Sequence, residues 1–233
     1  MKKAAKKVAK AAHPAPVAER PGIEIFDCEQ NSPEWLDARN GIVTASNFSK
    51  VMAGGEGKTR AKYMKQLAGE ILTGIPAETF SNAAMQRGRE MEHGIRDAYI
   101  ASTFEKVQRI GFVKNHRLMK YAVAGCSPDA FVGEKGGLEI KSMIPENLID
   151  LFERPATLPP EHRAQVQGNM WVCEREWWDF KVGYHAREGF EGIPPYEVRV
   201  YRDETYIKQI SDAVEIFSYE LKQLVEKLRK MGV

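Results

Sequence analysis

The apolar positions of this chain change period along its length, and the changes divide it into a helical first third, a strand-rich middle and a mixed final part. Residues Arg60 to Leu72 and Asn82 to Phe104 place apolar side chains at helical spacing. Ser32-Pro33-Glu34-Trp35 predicts a helix start, with serine as N-cap and proline in the first turn, where its missing N–H is no loss. A second start is read at Thr44-Ala45-Ser46, leading into Asn47 to Met52. From Val107 the alternation becomes strand-like: Val107 to Val113, Tyr121 to Gly125, Asp129 to Val132 and Leu138 to Ser142 are short segments punctuated by Gly and Asn. Helical spacing returns from Glu161 to Val172, and Trp177 to Tyr184 and Tyr196 to Tyr201 predict further strands. This order predicts an α/β fold, with a central mixed β-sheet flanked by helices. From Glu204 to Lys230, Ile207, Ile210, Val214, Phe217, Leu221, Leu224 and Leu228 form an amphipathic helix whose apolar face either covers the sheet or meets a partner.

The 233 residues suit one domain, expected over 23–233 and preceded by a flexible basic tail over 1–22. The tail carries five lysines up to Lys10 and then His13-Pro14-Ala15-Pro16, so it either touches phosphate or is simply solvated. A formal net charge of +2 neither demands nor excludes nucleic acid, because carboxylates that hold a metal offset basic residues that hold DNA. Cys28, Cys126 and Cys173 are odd in number, far apart in sequence and never in a CxxC pair, which points away from a disulfide framework or a zinc site. With no uninterrupted apolar run, the chain is expected in the cytoplasm, neither exported nor embedded in a membrane.

The chemistry concentrates at Gly125-Cys126-Ser127-Pro128-Asp129 and, ten residues on, Glu139-Ile140-Lys141. If Asp129 to Val132 and Leu138 to Lys141 form a hairpin around Gly133 to Gly137, Glu139 and Lys141 share one face and Leu138 and Ile140 the other. A register pairing Asp129 with Glu139 or Lys141 then brings two carboxylates and a lysine together. Such a group suits phosphodiester hydrolysis. Asp129, Glu139 and the Ile140 carbonyl offer hard oxygen ligands to Mg²⁺, and Lys141 orients the attacking water or, with a depressed pKa, serves as base. The alternative is a solvent-facing Glu-Lys pair after an ordinary Ser-Pro-Asp turn.

Four ordered motifs carry a resemblance. Arg39-Asn40-Gly41-Ile42-Val43-Thr44-Ala45-Ser46, Gly88-Arg89-Glu90-Met91-Glu92, the Ser-Pro-Asp segment with Glu139-Ile140-Lys141, and Ala164-Gln165-Val166-Gln167-Gly168-Asn169-Met170-Trp171 are similar to those of the lambda exonuclease, or YqaJ-type viral recombinase, family of PD-(D/E)xK nucleases. The resemblance spans about Trp35 to Tyr184 and implies a restriction-endonuclease-like core. It also implies that Glu92 faces the metal site, that Gln165 completes a catalytic set of Glu92, Asp129, Glu139, Lys141 and Gln165, and that Arg39 and Ser46 bind the 5′-phosphate of the degraded strand. The implied activity is Mg²⁺-dependent digestion of duplex DNA from 5′-phosphorylated ends, with Mn²⁺ as substitute and two ions per site. Mononucleotides are released and a 3′ overhang remains for a single-strand annealing protein. A trimeric ring is implied as well. Where the lambda-type member has an arginine after its catalytic lysine, this chain has Pro145-Glu146-Asn147, so Arg154 or another basic residue is expected to substitute. The other readings are a structure-specific or restriction-like endonuclease of the same superfamily, and an inactive DNA-binding module.

Other apparent motifs carry less. Gly54-Gly55-Glu56-Gly57-Lys58-Thr59 resembles a phosphate-binding loop, but its first required glycine falls at Met52 after a helical stretch, so ATP is not expected. The histidines form no HExxH motif, and Trp171, Trp177 and Trp178 serve either as base-stacking groups or as core.

Overall fold

The computed structural model describes residues 21–53, 58–77, 83–153, 156–184 and 194–233; the expected tail up to residue 20, Gly54 to Gly57 and Arg154 lie outside the described residues. The polypeptide enters through β1 (Ile23–Phe26), α1 (Pro33–Arg39), β2 (Val43–Thr44), a 3₁₀ turn (Ala45–Asn47), α2 (Phe48–Met52), α3 (Lys58–Thr73) and α4 (Ala83–Thr103). There follow β3 (Val107–Gln108), β4 (Phe112–Asn115), β5 (Ala124–Cys126), β6 (Ala130–Val132) and β7 (Gly136–Met143). α5 (Pro145–Phe152), α6 (Pro160–Cys173), β8 (Trp177–Tyr184), β9 (Tyr196–Tyr201) and α7 (Glu204–Lys230) complete it.

α1 starts as its sequence predicts: Ser32 is the N-cap, its side chain accepts a hydrogen bond from the Trp35 N–H, and Pro33 sits in the first turn. The reading of a start at Thr44-Ala45-Ser46 resolves differently, because that stretch is a 3₁₀ turn without a side-chain cap bond and Ser46 lies inside it. The strands divide between two mixed sheets, one ordered β1-β4-β5-β2 and the other β3-β6-β7-β8-β9. The predicted Val107 to Val113 strand is therefore broken, with its first half in one sheet and its second in the other. β1, β2 and α5 are additions that sequence periodicity does not reveal, since all three are short. The α/β class stands.

β7 is the central strand of the five-stranded sheet, pairing antiparallel with β6 and parallel with β8. Its two faces enter different cores. Leu138 and Ile140 pack with Ile95 and Tyr99 of α4 and with Ala130 and Val132. On the other side lies the larger core, in which Phe180, Val182 and Trp178 join Val166, Met170 and Val172 of α6. From Val166 to Cys173 every residue of α6 is buried, so this helix runs through the interior rather than over it. α7 packs against α2, α3 and α6, with Phe217 stacked on Tyr63 at 5.6 Å between ring centroids, so its apolar face covers the helical layer rather than a sheet directly. Trp171 and Trp178 are core residues, and Trp177 stacks under the Arg199 guanidinium at 3.7 Å. Among the described residues no helix is long and apolar enough to cross a membrane.

Close approach fixes where α6 sits. A Cβ at Gly168 would stand 2.5 Å from Phe48 Cδ2 and 3.2 Å from the Ala45 Cβ, so glycine there lets the helix rest against the 3₁₀ turn and α2. Gly168→Ala is expected to destabilise the protein by about 1–3 kcal/mol through overpacking, read as a lowered urea midpoint with an unchanged slope.

Candidate active site

The β6–β7 hairpin pairs Ala130 with Leu138, Phe131 with Gly137 and Val132 with Gly136. Extended by one residue, that register sets Asp129 opposite Glu139, one of the two arrangements the sequence allows. The turn is tighter than expected, since Gly136 and Gly137 already belong to β7. Beyond the ladder's last pair, Asp129 continues the contact through its side chain: the Ile140 N–H donates to Asp129 Oδ2 at 2.5 Å. In an extended strand the N–H and C=O of one residue point to the same edge, so the Ile140 carbonyl is aimed toward the Asp129 side as well.

Glu139 is buried at 2 % exposure, although it carries a carboxylate. Three N–H donors replace its water. Lys141 Nζ and Gln165 Nε2 each donate to Oε1 at 2.6 Å, and Asn169 Nδ2 donates to Oε2 at 2.9 Å. Lys141 comes from the same face of β7, two residues on; Gln165 and Asn169 come from one face of α6, four residues apart. Sequence reasoning singles out Gln165 and misses Asn169, which lies one turn further along the same face of α6 and is identified by its contact with Glu139.

Glu92 reaches the site from α4. Its carboxylate forms an ion pair with Arg96 one turn on, and together with Asp129 it lines a cavity of about 390 Å³ that also includes His93, Arg96 and Arg109. Loss of solvent, then the charges of Glu139 and Glu92, push the Asp129 carboxyl well above the usual range, while Lys141 and the Ile140 N–H act in the opposite sense. At Lys141 burial opposes the charged form, but the nearby carboxylates of Glu139, Asp129 and Glu92 outweigh it and the net shift is upward. The protein's own groups therefore hold the Lys141 proton, so burial by itself does not leave its pKa depressed. His162, three residues before Gln165 on α6, is a second neighbour the sequence does not reveal; burial and then the Lys141 charge hold its imidazole below the usual value.

Arg39 and Ser46 lie apart from this group. Arg39 packs over Trp35 at 4.1 Å and lines a separate small pocket with Thr44, Asn47, Tyr63 and Gln66. Ser46 is exposed, with its hydroxyl 3.4 Å from that of Thr44. The Trp35 ring beneath Arg39 is tied to the segment that leads to the hairpin, because Trp35 Nε1 donates to Ser127 Oγ at 2.9 Å, two residues before Asp129. Cys126 and Cys173, far apart in sequence, meet in the interior with their sulfurs 3.3 Å apart, as free thiols.

Residues 34–176 match the YqaJ-like viral recombinase domain, more than half of the chain, from within α1 to the residue before β8. The protein belongs to the YqaJ-like viral recombinase domain family. Among solved structures, the alkaline exonuclease LHK-Exo of Laribacter hongkongensis is 33 % identical, with a TM-score of 0.74, covering 86 % of this chain and 98 % of its own. The same enzyme in complex with dAMP gives 34 % identity and a TM-score of 0.76 over the same shares of the two chains. A phage-related exonuclease from Haemophilus somnus 129PT, at 15 % identity, TM-score 0.57 and coverage of 80 % and 96 %, shares the fold. Among curated proteins, none matches the chain. The YqaJ-type segment thus contains the hairpin, Glu92 and the buried face of α6.

Among the described residues no three or more His, Cys, Asp or Glu side chains converge into a ready metal cage. The donors do suit a hard cation that keeps most of its own waters: two carboxylates, Asp129 and Glu139, with a peptide carbonyl between them. Burial and then the like charges of Glu139 and Glu92 raise Asp129, and a cation beside it would offset both. Glu92, engaged by Arg96, stands one step further back.

In metal-free protein the raised Asp129 carboxyl carries a penalty of known sign. The unfolded chain releases this proton first as pH rises above the ordinary Asp value, so folding stability is lost with rising pH until the folded-state value is passed. Asp129→Asn is accordingly expected to raise stability in EDTA at neutral pH, with the gain disappearing below the ordinary Asp value; thermal melts of both proteins across pH check it.

Proposed function

We propose that this protein is a metal-dependent DNA exonuclease that digests duplex ends in the 5′-to-3′ direction. The observation that carries the reading is the buried Glu139 carboxylate, held by Lys141, Gln165 and Asn169 directly beside Asp129. Membership of the YqaJ-like family and likeness to an alkaline exonuclease support it. That relative's complex with dAMP supports a mononucleotide 5′-phosphate as product.

In this reading Asp129, Glu139 and the Ile140 carbonyl hold the cation, Mg²⁺ or Mn²⁺ in its place, with Glu92 supporting them from α4. When bound, the cation activates water and neutralises charge developing on the phosphoryl oxygens. Lys141, carrying its proton, donates to the attacking water or to a non-bridging oxygen and keeps either from drifting out of line. Gln165 holds the Glu139 oxygen without adding a charge that competes with the cation. The new bond joins water oxygen to phosphorus, and the bond from phosphorus to the 3′ oxygen of the terminal nucleotide breaks as that oxygen takes up a proton; the released mononucleotide keeps its original 5′-phosphate and gains a 3′-hydroxyl, and the shortened strand begins with a new 5′-phosphate. Arg39 offers a planar fork to the terminal 5′-phosphate, with Ser46 as a second donor. A homotrimeric ring around DNA and a single-strand annealing protein that takes up the 3′ overhang complete the proposal.

Two assays test it. Linear duplex with a 5′-phosphate is expected to disappear in Mg²⁺ and to survive in EDTA, while closed circular duplex survives in both; cutting of the circle makes the protein an endonuclease, and no cutting at all makes it a binding module. Lys141→Ala is expected to slow digestion by roughly 10²–10⁴-fold without loss of DNA binding. Arg39→Gln is expected to raise KM for 5′-phosphorylated ends by about 10–100-fold, the loss of a charge-assisted contact, and to leave ends lacking the phosphate unaffected.

A further inference from the structure

We propose that Asn169 is a positioning residue that fixes the plane of the Glu139 carboxylate for the cation. The inference rests on the nuclease reading above. Both Lys141 and Gln165 donate to the same oxygen, Oε1, and two donors on one oxygen leave the carboxylate free to swing about that point. The terminal torsion of glutamate is broad and two-fold, so nothing in the side chain itself sets the plane. The bond from Asn169 Nδ2 to Oε2, at 2.9 Å, supplies the missing restraint. A carboxylate offers about four acceptor sites, of which these donors take two on Oε1 and one on Oε2; the remaining Oε2 site is the one kept for the cation.

The residue type suits that work. Asn169 is 1 % exposed, so water has no access to replace it. Its amide holds a carboxylate as firmly as a neutral donor does, and it brings no positive charge to compete with a divalent ion. Its place is also fixed from behind, because the adjacent Gly168 lets α6 lie against Phe48 and Ala45.

A control lies on the same helix. Gln167 is buried like Asn169, but its Nε2 donates to the Tyr201 carbonyl and its Oε1 accepts from the Asp203 N–H, so it braces β9 against α7 and has no part in holding Glu139. Mn²⁺ binding, followed directly by electron paramagnetic resonance on the full chain without DNA, is compared in the parent, Asn169→Ala, Gln167→Ala and Glu139→Ala. Asn169→Ala is expected to weaken Mn²⁺ binding by about 10–100-fold and to lower kcat with KM for DNA nearly unchanged, whereas folded Gln167→Ala keeps the parent's Mn²⁺ affinity. An Asn169→Ala protein that binds Mn²⁺ within about twofold of the parent, while Glu139→Ala has lost binding, overturns the positioning role alone. Retention of Mn²⁺ binding and digestion by Glu139→Ala overturns the nuclease reading itself. If circular dichroism shows Asn169→Ala unfolded, Asn169→Leu, which removes the donor at nearly constant volume, is judged by the same criteria.

Discussion

Glu139 carries its carboxylate into the interior at 2 % exposure, and an ion so placed costs several kcal/mol, in order of magnitude, unless hydrogen bonds replace the water it has left. Those bonds come from two elements that are distant in sequence. β7 supplies Lys141 by simple alternation, but Gln165 and Asn169 arrive only if α6 passes through the interior with one polar face turned to the strand. The requirement propagates outward: α6 needs a glycine where it meets Phe48, an apolar surround on its remaining faces, and α7 over the helices that enclose it. The long C-terminal helix thus serves the site at two removes, by closing the layer that keeps α6 in place.

Legibility in the sequence followed physical cause. β8, β9 and α7 are long, strongly patterned and read with the bounds the structure shows. The Ser32 cap is read from local chemistry alone, because the bond it makes is local. β2, with two residues, and β1, with four, have too little length for a period to register. The division into two sheets is a matter of long-range pairing, of β2 with β5 and β1 with β4, and nothing in the alternation of Val107 to Val113 indicates that the chain changes sheets midway.

The site divides along the same line. Asp129, Glu139 and Lys141 are legible because a hairpin is local and alternation fixes which side chains share a face. Asn169 is hidden by the burial of α6: in a helix enclosed on nearly all sides, polar residues stand among apolar ones without a solvent face to set them apart. Gln167 and Asn169 are both buried amides, and only the contacts distinguish the one that braces α7 from the one that holds Glu139. The protonation of Lys141 is likewise a sum over neighbours, and the sequence gives no means of weighing burial against three carboxylates.

β8 and β9 provide an internal contrast on the face of the sheet that meets α4. There Arg199 forks Asp179 with two bonds of 2.8 Å, the Tyr99 hydroxyl donates to the same carboxylate at 2.6 Å, and Lys181 pairs with Glu197 at 2.6 Å. Burial and then the Asp179 carboxylate push the Tyr99 hydroxyl upward, and the Arg199 charge is stabilised first by its bonds to Asp179. In that network two acids meet two bases, and the charges balance within the protein. Around Asp129, Glu92 pairs with Arg96 and Glu139 with Lys141, whereas Asp129 forms no ion pair among the described residues, and burial together with the two neighbouring carboxylates falls on it. Both clusters are buried and hydrogen-bonded, so neither burial nor bonding distinguishes a brace from a site. The unbalanced charge does, since an excess of hard anionic oxygen is stable in such a place only with a proton or a cation to share it.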